Sequence, residues 1–209
     1  MPYTIDDAKA RAEREMPYLR PLIRRMNPVK KCGLGTFATD EYARLCFDPA
    51  VLETKFSLDE CAAVVLHEAL HVLCDQLTEM QCLVDRDAGP EALMRYNCAS
   101  DLCVNSMLTN TELPLTADFL LPADYGLEAH LTASEYNEQL VTHEEFQQGF
   151  PQLDLRAVAE EFDIGDPESS GVAGLDPKRQ YSLRTRIFEE ISREPRDMPP
   201  GLLCYATLI

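Results

Sequence analysis

Of the four histidines in the 209 residues, two frame a glutamate in the string His67-Glu68-Ala69-Leu70-His71. On a helix, side chains four apart lie one above the other on one face. Two imidazoles placed this way can bind one Zn²⁺ through nitrogens at about 2.0–2.1 Å. Glu68 falls about 100° round the helix from His67, beside the ion and not on it. There it can take a proton from metal-activated water. The surrounding positions Leu58, Cys61, Ala62, Val64, Val65, Leu66, Leu70, Val72, Leu73 and Leu77 are apolar almost all round, which implies a buried helix. Two imidazoles and a carboxylate in such surroundings need partners, because an unpaired buried charge is expensive. A metal supplies the partner. The alternative is a pair of core histidines satisfied by backbone carbonyls.

A third ligand must come from elsewhere. Asp75 continues the stripe but lies eight residues from His67, about 12 Å along the axis, too far to share an ion. The extended metzincin pattern also fails, since Cys74 stands where it needs glycine and Leu77 where it needs a third histidine. The next apolar helix places Asn97, Asp101 and Asn105 at i, i+4 and i+8, on one face. Asp101, flanked by Met94, Cys98, Val104 and Leu108, is a buried carboxylate that wants a cation or several donors. It is the candidate third ligand, with Asp75, Asp85, Asp87 and Glu79 in reserve. The alternative is an Asp101 paired with Arg95, Arg44 or backbone amides. Asn97 and Asn105 either orient the ligands or are helix-packing amides. Tyr125, His130 and Arg95 could each steady an oxyanion, or be ordinary surface or packing residues. His143, beside Glu144 and Glu145, reads as solvated.

These residues need elements to hold them. Ser57-Leu58-Asp59-Glu60 is a capping box, and the helix it opens is expected to run to about Thr78. Gly89-Pro90 opens a second helix, to about Leu108. Thr132-Ala133-Ser134-Glu135 opens a third, through Leu140. The alternating runs Thr36–Thr39 and Tyr42–Phe47 predict a β-hairpin. Gly33-x-Gly35-x-x-Ala38 mimics a dinucleotide fingerprint but opens a strand instead of joining a strand to a helix. A charged helix is expected over 5–25, interrupted near Pro17 and Pro21. A Gly-, Ser-, Asp- and Pro-rich stretch over 163–177 reads as linker, and an amphipathic helix as 178–193. Leu202–Ile209 reads as a packing segment. The chain thus divides into a basic helical arm (1–31), a site-bearing domain (32–145), an acidic linker (146–177) and a C-terminal helix and tail (178–209).

The formal net charge of −17 argues against general binding to a phosphate backbone. It is unevenly placed: residues 1–31 hold eight basic and four acidic residues. That segment reads as a solvated arm, or as one that docks on the acidic body or an anionic partner. No apolar run approaches a membrane span, and Met1–Asp7 lacks the features of a secretory signal. The eight cysteines show no C-x-x-C spacing, and a reduced, cytoplasmic compartment without disulfides is expected.

The chain resembles a zinc-metallopeptidase domain family of bacterial and phage proteins, usually found ahead of a von Willebrand factor A-like domain. The resemblance rests on the 67–71 motif, on Tyr96-Asn97-Cys98-Ala99-Ser100-Asp101-x-x-x-Asn105, and on Leu113-Pro114 ahead of the 132–140 helix. It covers about residues 33–145 well, and the region 178–203 more loosely. It implies a zincin-like fold and one zinc ion, with His67, His71 and Asp101 as ligands and Glu68 as base. It also implies a von Willebrand factor A-like partner domain or protein, which these 209 residues do not include. The reading is therefore an α+β, mostly helical, zincin-like metallohydrolase, with a small sheet beside the two ligand-bearing helices. Its expected substrate is a peptide or protein, with no nucleic-acid or membrane partner. A non-catalytic, metal-stabilised interaction module is the first rival, although such a module has no need of Glu68. An acidic mimic of nucleic acid is the second.

Overall fold

A computed structural model describes residues 3–147, 170–193 and 199–206. The architecture is α+β and mostly helical. Its centre is α4 (Leu58–Leu73), opened by the expected capping box: Ser57 Oγ accepts from the Glu60 amide, and Glu60 accepts from the Ser57 amide at 2.7 Å. Every residue of α4 from Cys61 to Leu66 is buried, as are Glu68, Ala69, Leu70, Val72 and Leu73. A helix buried on nearly all sides must be enclosed by other elements. On one side lies α1 (Ile5–Glu15), which packs Ile5, Ala8 and Ala12 into the same core. On another lies α6 (Pro90–Leu108), with Pro90 in its first turn as expected.

The third side is a three-stranded sheet of order β1-β3-β2, formed by Pro28–Lys30, Leu45–Phe47 and Phe37–Thr39. The expected hairpin is the antiparallel pair β2–β3, with Phe37 opposite Phe47 and Thr39 opposite Leu45. The parallel partner β1 was not anticipated from the sequence. As an edge strand, β2 packs against α4 and presents Thr39 to it. A short helix, α3 (Pro49–Thr54), follows the sheet and is capped by Asp48.

The central helix is shorter than its apolar pattern suggested. It stops at Leu73, and Asp75 takes the left-handed conformation (φ 60°, ψ 23°). A separate helix, α5 (Gln76–Asp85), then departs in a new direction. Nothing in the local pattern marks this break, because a non-glycine residue rarely adopts positive φ.

The basic N-terminal segment, which includes the short helix α2 (Arg20–Ile23), lies against the body. Lys9 is buried and donates to the Met26 carbonyl at 2.8 Å. Arg11 pairs with Glu15 and with Asp59 on α4, and Arg24 with Glu13. Beyond α6 come α7 (Ala133–Leu140), capped by Thr132 and Glu135, and α8 (Glu144–Gln147). Of the stretch read as linker, residues 148–169 lie outside the described residues. Residues 170–176 run along the hairpin: the Leu175 amide donates to the Tyr42 carbonyl at 2.7 Å. Gly174 presses so close to Tyr42 that an added Cβ would sit 2.6 Å from the tyrosine Cβ. The chain then forms α9 (Pro177–Arg193) and α10 (Pro200–Ala206), whose Leu202 is fully buried. No described helix is long and apolar enough to cross a membrane.

Because α4 carries the candidate site, its cap bears on the site's stability. Ser57→Ala is expected to cost about 1 kcal/mol in urea unfolding at pH 7. The Ser57 backbone amide, and then its hydroxyl, hold the Glu60 carboxyl below its ordinary value. A lowered folded pKa stabilises above the unfolded value and is lost as pH falls through the folded one. The penalty of Glu60→Ala should therefore be full at pH 7 and shrink in acid.

Candidate metal centre

The candidate cluster follows from helix geometry. His67 and His71, one turn apart on α4, face Asp101 in the middle of α6, where the two helices pack. The two Nε2 atoms are 2.9 Å apart. Asp101 Oδ1 lies 3.3 Å from His71 Nε2 and 3.6 Å from His67 Nε2. Among the described residues this is the group of three or more His, Cys, Asp or Glu side chains close enough to hold an ion. All three are mostly buried, with side chains 12–15% exposed.

The outer ring nitrogens are taken. His67 Nδ1 lies 2.7 Å from Asn105 Oδ1, and the other end of that amide donates to the Leu120 carbonyl at 3.0 Å. This orientation leaves Asn105 Oδ1 as an acceptor, so His67 carries its proton on Nδ1 and presents a lone pair at Nε2. His71 Nδ1 sits 2.6 Å from Gln76 Oε1, which likewise accepts its proton. Both histidines thus aim Nε2 inward at a carboxylate oxygen. Phe119 stacks on His67 with ring centroids 5.3 Å apart and planes 12° from parallel, covering one face of that imidazole.

The residues fit a metal. Two donor atoms each about 2.1 Å from one centre, at a tetrahedral angle, stand about 3.4 Å apart. The three separations here bracket that value. Two imidazoles and one carboxylate are a donor set of the kind that leaves a fourth position for water in catalytic zinc sites.

Electrostatics point the same way. Burial pushes the His67 imidazole down, helped by the neighbouring His71. Burial opposes charge on His71 too, but the hydrogen bond and charge of Asp101, with Glu68, lift it to about 9. The pocket therefore favours a cation between these three side chains.

Glu68 is buried beside the cluster, and Thr39 Oγ1 of β2 donates to its Oε2 at 2.8 Å. That bond fixes one carboxylate oxygen of Glu68.

The other sequence candidates are committed elsewhere. Asp75 is held by Arg184, Glu79 accepts from the Tyr96 hydroxyl, and Asp85 accepts from Gln81. Asp87 is exposed. The arginines that offered Asp101 an alternative partner bond other groups, Arg44 with Asp40 and Arg95 with Asn137. Tyr125 packs its ring against Phe146 and His143, and His143 Nε2 meets the Tyr125 carbonyl at 2.9 Å. The His130 amide donates to Ser106. Asn97 is half-buried. Thr39, Gln76 and Phe119 escaped the sequence reading. Thr39 lies in the hairpin and could have been suspected from its position, whereas Gln76 was hidden by the expected continuation of α4.

A family model described as "Putative metallopeptidase domain" matches residues 1–170. The chain belongs to that family. The match begins at the first residue, so the metallopeptidase-family region takes in the basic segment 1–31 along with the site. No curated protein and no solved structure matches the chain.

If these side chains hold an ion, purified protein should carry about one equivalent of metal by elemental analysis, and Asp101→Ala sharply less. Asn105→Ala, which frees His67 Nδ1, should weaken metal affinity about 10–100-fold, as removal of such partners does. Competition titration against a chelator measures it.

Proposed function

We propose that the domain is a zinc-dependent hydrolase that cleaves peptide bonds in a peptide or protein substrate, with Glu68 as general base. The observation that carries the reading is the buried Glu68 carboxylate, anchored by Thr39 beside two imidazoles and Asp101. A zinc ion held by His67, His71 and Asp101 would supply Lewis acidity, polarising the scissile carbonyl and lowering the pKa of water toward neutrality.

The chain's own groups would do the rest. Thr39 holds Glu68 Oε2, so Oε1 is the atom that takes the proton of the attacking water. The same oxygen returns that proton to the leaving amine, which would otherwise depart as a poor leaving group. Asn105 and Gln76 keep each imidazole proton on Nδ1, so both Nε2 lone pairs would go to the ion and neither histidine would compete with Glu68 as the base. Stacking by Phe119 keeps solvent from one face of His67.

The edge of the sheet supports a path for the proposed substrate chain. An extended peptide can add to the unpaired side of an edge strand through main-chain hydrogen bonds. The edge strand β2 ends at Thr39, the residue bonded to Glu68, so a peptide laid along it passes the base.

The proposal makes Glu68→Gln decisive. The variant should keep its metal and its fold, and should lose peptide hydrolysis by about 10²–10⁴-fold, the scale of general-base catalysis. A broad peptide library read by mass spectrometry supplies the assay. Metal-loaded wild type that cleaves nothing in the library, with no observable activity altered by Glu68→Gln, would instead mark a metal-stabilised interaction module.

A further inference from the structure

Gln76 lies five residues after His71. In an uninterrupted helix it would point about 140° away from that histidine. It reaches His71 Nδ1 because the chain breaks at Asp75, whose left-handed backbone turns α5 out of line with α4. Gln76 is 3% exposed, so the turn delivers an amide into the interior directly behind a site histidine. A left-handed conformation is uncommon for a residue other than glycine, and it persists where surrounding contacts hold it.

Those contacts come from far along the chain. Arg184 on α9 grips the Asp75 carboxylate with both ends of its guanidinium: Nη2 donates to Oδ2 at 2.8 Å and Nη1 donates to Oδ1. Thr78 Oγ1 adds a bond to Oδ1 at 2.7 Å. The arginine side chain is 10% exposed, whereas the carboxylate is 40% exposed. A two-point, charge-assisted grip fixes orientation as well as position, which a lysine cannot do. Arg184 lies outside residues 1–170, the stretch that the family model matches.

We propose that Arg184 is a positioning residue for the metal centre, acting through Asp75 and Gln76 on the imidazole of His71. By clamping the Asp75 carboxylate, Arg184 holds the turn that seats Gln76 Oε1 on His71 Nδ1–H. That bond in turn keeps the ring rotated with Nε2 toward His67 and Asp101. His67 has an independent anchor, Asn105, and does not depend on this relay. The inference rests on the metal-site reading for its consequence, but the relay itself is a property of the metal-free protein.

The test uses Arg184→Gln, Asp75→Asn and the double variant in the full chain. In the metal-free protein, NMR of ¹⁵N-labelled histidines should show protected Nδ1–H protons for both His67 and His71. Arg184→Gln should expose the His71 proton to exchange while leaving that of His67 protected, a selectivity that general loosening would not give. Zinc affinity, by chelator competition, should fall about tenfold. Asp75→Asn and the double variant should match Arg184→Gln, because both substitutions cut one link. Arg184→Lys, which keeps the charge but loses the fork, serves if the glutamine variant does not fold, and should show a smaller effect in the same direction.

The relay is overturned if Arg184→Gln leaves the His71 proton protected, if both histidine protons lose protection together, or if the two substitutions add. Should wild type bind no zinc, the metal reading fails, while the His71 proton still decides the relay.

Discussion

Two imidazole nitrogens are held 2.9 Å apart in the interior, with a carboxylate oxygen within 3.6 Å of both. With Nδ1 of each ring given to an amide oxygen, the neutral rings turn lone pairs toward one another and toward a negative oxygen. Such an arrangement is repulsive unless a cation occupies it. In the metal-free protein a proton can serve, which is why His71 holds its proton so far above the ordinary value while His67 does not. A metal ion in place of that proton would satisfy all three donors together. The rest of the structure is arranged to keep these atoms from relaxing apart.

The constraint explains why the flanking elements are where they are. The site spans two helices, so its geometry depends on how α4 and α6 pack, and both are closed in by apolar neighbours. On the α4 side, β2 brings Thr39 to Glu68 and holds one oxygen of that buried carboxylate. On the α6 side, Asn105 ties His67 to the Leu120 carbonyl and links the site to the loop carrying Phe119. At the end of α4, the left-handed turn at Asp75 supplies Gln76. His67, Glu68 and His71 are thus each gripped from an element other than their own, which is how a buried polar cluster acquires one geometry.

Much of this was legible in the sequence because its signals are local. The capping box at Ser57 and Glu60 located the start of α4, and Gly89-Pro90 located α6. The i, i+4 spacings placed His67 with His71, and Asp101 with Asn105, on common faces. The hairpin followed from alternation. The pairing of β1 with β3 was not visible, since Pro28–Lys30 is too short for alternation to register and its partner comes only after β2 in the chain. The end of α4 was misplaced because Asp75 enters the left-handed region with no glycine to announce it. Gln76 and Phe119 became site residues only through that turn and through a loop crossing, which are tertiary facts. Charge was a poor guide to the first thirty residues, whose helix also carries the apolar stripe Ile5, Ala8 and Ala12 that docks it on α4.

The central claim is that one ion sits between two imidazoles and a carboxylate. X-ray absorption of zinc-loaded protein tests it most directly. The account predicts a shell of nitrogen and oxygen only, at about 2.0–2.2 Å, with outer scattering from two imidazole rings. A sulfur ligand at about 2.3 Å, or scattering from fewer than two imidazoles, would contradict it.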